Sequence, residues 1–162
     1  MGSPEREMPV WFRKKPELKP SFPIEGYALN MMLREALPLQ ELSSAEYDVM
    51  SRQFVGEKIY HACPVEFLGR TWDLTLGAVS GTVYKIALFL EVWNKTEADE
   101  AAVGALTFCC EQLGKPAEQR IGLFVWDTTD GNVILQTVEA QGEFAVNLFL
   151  TSRSVREFQR LT

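Results

Sequence analysis

The sequence predicts an α+β fold: a five-stranded, mainly antiparallel sheet with one long helix on one face, two N-terminal helices and a short C-terminal helix. Three observations predict it. Residues 70–93 form the densest apolar stretch of the chain and read as two strands joined near Ser80-Gly81. Residues 96–113 carry an apolar stripe at helical spacing. Residues 121–150 hold three strand-like runs, separated by the turn signals Asp130-Gly131 and Gln141-Gly142.

With 162 residues, 46% apolar and 23% charged, the chain is long enough for one sizeable core and ordinary in composition for a globular protein. Residues 1–23 hold five prolines and read as an extended arm carrying Trp11, Phe12 and Phe22. Residues 24–162 read as a single domain. The net charge of −6 is unevenly placed: the arm and residues 152–162 each carry +2, leaving −10 on the body between them. Such a body repels nucleic acid and anionic membrane, and favours a protein partner. No apolar run reaches the length of a membrane span, and the first residues hold none of the apolar core of a secretory signal. Three cysteines without a C-x-x-C spacing argue against a disulfide framework or a zinc site. Free thiols then point to a cytoplasmic protein.

Taken in order, residues 24–37 show near-helical spacing through Tyr27, Met31 and Leu37, and Pro38 ends the run. Ser43 with Glu46 is a capping-box pattern opening a second helix over 44–54. Residues 58–65 alternate, and Pro64 restricts them to an edge strand or a strand end. In the hairpin that follows, Trp72, Leu74 and Leu76 share one face. Its second strand is apolar on both: Tyr84, Ile86, Leu88, Leu90 and Val92 on one side, Val83, Ala87, Phe89 and Trp93 on the other. The 96–113 helix takes Thr96 with Asp99 as its cap, Ala102, Val103, Leu106, Cys109, Cys110 and Leu113 as its stripe, and Gly114 as its stop. Ser154 with Glu157 reads as the start of a short C-terminal helix.

Within 81–116, the run GTVYKIALFLE followed by a helix ending LGKP resembles small bacterial α/β proteins of unknown function, which share a G-x-x-Y-K-I hairpin and a G-x-P helix stop. The element order is similar to that of profilin-like, roadblock and longin domains and of small acidic dimeric secretion chaperones. These resemblances imply topology and carry no activity across.

No catalytic constellation stands out. His61 and Cys63 lie two apart on a strand and could share a face, but a nucleophilic pair needs a third group to orient the imidazole. DTTDGN at 127–132 has glycine where a calcium loop needs its fifth-position ligand and no closing glutamate, so it reads as a hairpin turn. No catalytic residue, metal site or cofactor is therefore expected. The expected function is a non-enzymatic protein-binding module (an adaptor, chaperone-like or immunity-type protein) that associates with itself as a homodimer or with another protein. The alternative is a small-ligand-binding protein or enzyme with a pocket between the N-terminal helices and the sheet. Trp11, Phe12, Phe89, Trp93 and Phe149 are the candidate interface. Tyr27, Met31, Tyr47 and Phe54 are expected to cover part of the sheet's second face, opposite the long helix.

Overall fold

The computed structural model describes residues 17–33, 39–41 and 52–161. They build an eight-stranded antiparallel sheet, not a five-stranded one. The strands are β1 (Leu39–Glu41), β2 (Glu57–Phe67), β3 (Arg70–Val79), β4 (Thr82–Val92), β5 (Glu118–Arg120), β6 (Leu123–Asp127), β7 (Gly131–Ala140) and β8 (Glu143–Ser152). Their spatial order is β1-β2-β3-β4-β8-β7-β6-β5. Two meanders, β1–β4 and β5–β8, are thus joined through the single ladder β4–β8. Among the described residues the only α-helix is α1 (Lys95–Leu113), and a 3-10 turn, Arg153–Glu157, follows β8.

Turn chemistry fixes the hairpins. Ser80-Gly81 (φ 53° and 78°) and Gln141-Gly142 (φ 54° and 78°) each place two successive residues at positive φ. That is the type I′ geometry whose twist matches the flanking strands. Two bulges adjust the ladders. One lies between Ala62 and Val65, where it accommodates Pro64 past the end of the β1 pairing. The other sets Tyr84 as an extra residue opposite the Gly77–Ala78 step of β3.

One face of the sheet carries the core. Trp72, Leu74, Leu76, Ile86, Leu88, Trp126, Leu135, Leu148 and Leu150 are essentially inaccessible there. Helix α1 packs on the β4-β8-β7 part of this face. Its buried residues are Ala98, Ala101, Ala105 and Cys109, whereas Val103 is 61% exposed and Leu106 half-buried. The stripe read from the sequence is therefore rotated. The sheet already supplies the large side chains, so the helix approaches through its small ones, and Leu106, Phe108 and Leu113 flank the contact. The cap is Asn94, whose Oδ1 accepts from Glu97 N–H at 2.9 Å, rather than Thr96. Gly114 closes the helix by donating to Cys110 O at 2.8 Å, and Trp126 Nε1 donates to Gly114 O at 2.9 Å.

The expected helix over 24–37 is absent from its described part. Glu25, Gly26 and Asn30 sit at φ 46°, 87° and 70°, conformations that end a right-handed helix. Ile24 and Tyr27 instead exchange backbone hydrogen bonds across a tight turn (2.9 and 2.8 Å). Phe22, Ile24, Tyr27 and Leu29 join the same core cluster as α1, and Phe22 meets Phe108 edge-to-face at 4.9 Å. Each such burial stabilises by roughly 1.5–3 kcal/mol. Tyr27 thus covers the helix side of the sheet and not the second face. Residues 34–38 and 42–51, with most of the second expected helix and Tyr47, lie outside the described residues. Phe54 forms an isolated bridge with Arg160 rather than the end of a helix.

Two anchors hold the 17–33 segment. Asn30 N–H donates to Val83 O (2.8 Å) and Val83 N–H to Met31 O (3.0 Å), extending the ladder past the end of β8. Ser21 donates to Asp130 from its N–H (3.1 Å) and its Oγ (2.6 Å), while Thr128 Oγ1 donates to the same carboxylate at 2.8 Å. Burial raises the Asp130 pKa, but these hydrogen bonds outweigh it and hold the group below its ordinary value. The expected C-terminal helix is the 3-10 turn alone. Its N-cap is Ser152, whose Oγ accepts from Ser154 N–H at 3.2 Å, so Ser154 is the second residue of the turn and not its cap.

Candidate functional site

Strand period places a distinct set of residues on the second face. Register pairs Ala87 with Phe149, Phe89 with Asn147 and Glu91 with Ala145 across β4–β8, then Phe149 with Ile134 and Ala145 with Val138 across β8–β7. Ile59 and Ala87 are fully buried here, with Phe89 and Phe149 packed half-exposed over them. The two rings meet edge-to-face at 5.7 Å, and Lys85 Nζ stands 5.0 Å from the Phe149 centroid. Among the described residues no helix lies over this part of the sheet.

The two ends of the face differ. At one, the bulge turns Tyr84 toward Phe54 and Phe158, and the three rings meet edge-to-face at 5.2–5.5 Å. Beneath them Glu57 is 3% exposed and accepts from Tyr84 Oη at 2.8 and 2.9 Å and from Gln53 N–H at 3.0 Å. Burial, followed by the Glu57 charge and hydrogen bond, raises the Tyr84 pKa far above its ordinary value. Lys85 is shifted down by burial, against the opposing pull of Glu57. Glu57 and Tyr84 are thus bonded to each other at this end, beside a hollow of about 330 Å³ lined by Phe54, Glu57, Lys58 and Leu161 among others.

The other end is open. A hollow of about 370 Å³ is lined by Glu91, Val92, Trp93, Val138, Ala140, Glu143, Phe144 and Ala145. Trp93, the residue just past β4, is 94% exposed. Ile121 at the β5–β6 turn is also fully exposed, and Val138 is 38% exposed.

Of the residues expected at an interface, the structure brings Phe89 and Phe149 into contact and sets Trp93 at the open end of their strip. Trp11 and Phe12 lie outside the described residues. Sequence reading missed Glu91, Val138 and Glu143. The Gln141-Gly142 turn pairs Glu143 with Ala140 and Ala145 with Val138, but no turn in the sequence sets β8 beside β4.

The remaining candidates form no catalytic arrangement. His61 is half-buried and Cys63 exposed, no described hydrogen bond joins them, and the bulge at Ala62–Val65 breaks the regular alternation on which a shared face depends. Asp130 is occupied by Ser21 and Thr128. Among the described residues no group of three or more His, Cys, Asp or Glu side chains is placed to hold a metal ion. No described helix is long and apolar enough to cross a membrane.

The thiols separate by environment. Burial, then the neighbouring Cys110, pushes the Cys109 thiol up to about 12, whereas Cys63 is exposed. A thiol-specific alkylating agent at pH 8 is expected to modify Cys63 within minutes and to reach Cys109 only after denaturation. Equal labelling rates in peptide mass spectrometry would place Cys109 outside the core.

Comparison of the chain with protein-family models, with curated proteins and with solved structures yields no match to any of them.

Proposed function

We propose that the chain is a non-enzymatic protein-binding module that docks its partner on the second face of the sheet, with a second copy of itself as the simplest partner. The observation that carries this reading is the strip Phe89–Phe149–Trp93. It combines two partly exposed rings that touch each other and, four residues beyond Phe89, an indole that is 94% exposed. Exposed aromatic side chains grouped on one sheet face are a feature of interaction sites. Aromatic residues are also the side chains that dominate binding energy when a partner desolvates them. The carboxylates beside the strip disfavour nucleic acid and anionic membrane as the occupant.

Light scattering coupled to size exclusion tests the reading on the full chain. A concentration-dependent mass approaching twice the monomer is expected at tens of micromolar. The double variant Phe89→Gln/Trp93→Ser should return the mass to that of the monomer while retaining the circular dichroism of the parent. A parent protein that is monomeric at every concentration and binds no hydrophobic dye would remove the basis for self-docking.

A further inference from the structure

The open end of the second face has a chemistry of its own. Glu91 on β4 and Ala145 and Glu143 on β8 project on the same side of the sheet, because they alternate in step, and Trp93, in the bend just past β4, lines the same hollow. The β4–β8 pairing ends at Val92 with Phe144, and Trp93 lies in the bend that follows. Opposed residues in an antiparallel pair stand about 5 Å apart and diagonal ones about 7–8 Å. The indole and the two carboxylates line one hollow together with Ala145, Val138 and Ala140. Neither carboxylate has an ion pair or hydrogen bond among the described residues.

From this arrangement we infer that the hollow is a seat for a cationic side chain, an arginine or lysine of a basic segment on the partner protein. The inference rests on the docking role of the face and adds the partner's chemistry. A guanidinium or ammonium lying over the indole gains the attraction of the ring's negative face. The same cation sits within reach of two unpaired carboxylates, and its alkyl stem covers the apolar floor. A second copy whose two-fold axis passed through this end would bring Glu91 and Glu143 toward their own equivalents, like charge against like, so self-docking is centred on the Phe89–Phe149 pair and leaves this end to a basic segment. Charge complementarity at this end thus selects a basic segment. A neutral segment would leave both carboxylates without a partner, and an acidic one would be repelled.

The test uses the full chain and two synthetic octapeptides of alternating arginine and valine, one with every arginine replaced by its neutral isostere citrulline. Isothermal titration at 50 mM salt is expected to show the arginine peptide binding at least tenfold more tightly. Raising salt to 500 mM, which shortens the screening length to a few ångströms, should remove most of that difference. Glu91→Gln/Glu143→Gln should bring the arginine peptide to the level of the citrulline one. Trp93→Leu should weaken it severalfold while leaving the melting temperature unchanged, since the side chain is exposed. Equal binding of the two peptides, or full affinity in the Glu91→Gln/Glu143→Gln variant, would overturn the cation seat and leave the docking face standing. Failure of both peptides to bind at millimolar concentration overturns the cation seat. If the parent is also monomeric by light scattering, the docking face falls with it.

Discussion

Replacing Gly131 with alanine is expected to lower the melting temperature by about 10 °C. The glycine opens β7 at φ 158°, and a Cβ built there would stand 1.8 Å from Thr151 O and 2.8 Å from its carbonyl carbon. Both are backbone atoms of β8, so no side chain can swing away. The flanking peptides are held as well: Thr128 N–H donates to Gly131 O at 3.0 Å and Arg153 N–H to Asp130 O at 2.7 Å. Relief requires the β7–β8 ladder to separate at its end and disturbs the turn that anchors Ser21. Forced overpacking of this kind costs about 3 kcal/mol, which for a chain of this size is about 6–12 °C in melting temperature. Gly104→Ala is the control. It lies within α1 with nothing within 4 Å of the added carbon, and should stabilise by up to ~1 kcal/mol through helix propensity. Calorimetry of the two variants decides the matter: a Gly131→Ala protein melting with the parent would show that the strand does not approach β8 this closely.

A similar loss is expected from Ala105→Leu. Ala105 is 0% exposed in the row Ala98, Ala101, Ala105, Cys109 that brings α1 onto the sheet. Three further carbons would push the helix off Leu135, Leu148 and their neighbours, at a cost of about 2–3 kcal/mol. Val103→Ser, two residues away but 61% exposed, should change stability by less than about 0.5 kcal/mol. Chemical denaturation of the pair reads the orientation of the helix directly. A larger loss for Val103→Ser than for Ala105→Leu would restore the stripe read from the sequence.

That stripe shows where sequence reasoning reached and where it stopped. Strands β3, β4, β6, β7 and β8 were legible because each combines a long apolar or alternating run with a turn signal that fixes its end. Helix α1 was legible in extent but not in rotation. Hydrophobicity favours Val103 and Leu106 as the inward face, whereas close packing on an already crowded sheet selects alanine. Strands β1 and β5, three residues each, are too short to show a period. Residues 22–29 misled for a different reason. Apolar residues at 24, 27 and 31 match a helix as well as they match a turn, and only the positive φ of Glu25, Gly26 and Asn30 separates the two. At the candidate site, Phe89, Phe149 and Trp93 were visible as apolar residues on the second face of a doubly apolar strand. Glu91 and Glu143 were hidden, because their convergence depends on the β4–β8 pairing of segments more than fifty residues apart.

The same ladder governs how the chain finds its structure. Every other strand pair in the sheet joins neighbours in sequence, with β2–β3, β3–β4 and β7–β8 closed by two-residue turns. Such hairpins form locally, on the order of microseconds. Joining Lys85 to Thr151 instead closes a loop that contains α1, β5, β6 and β7. Its entropic cost must be met before the core between the two halves can form. The β4–β8 encounter is therefore the pairing with the largest loop-closure cost in the sheet. During synthesis, the doubly apolar β4 is an unpaired edge until the last ten strand residues emerge. A nascent chain halted before residue 143 would expose that edge for as long as the halt lasts.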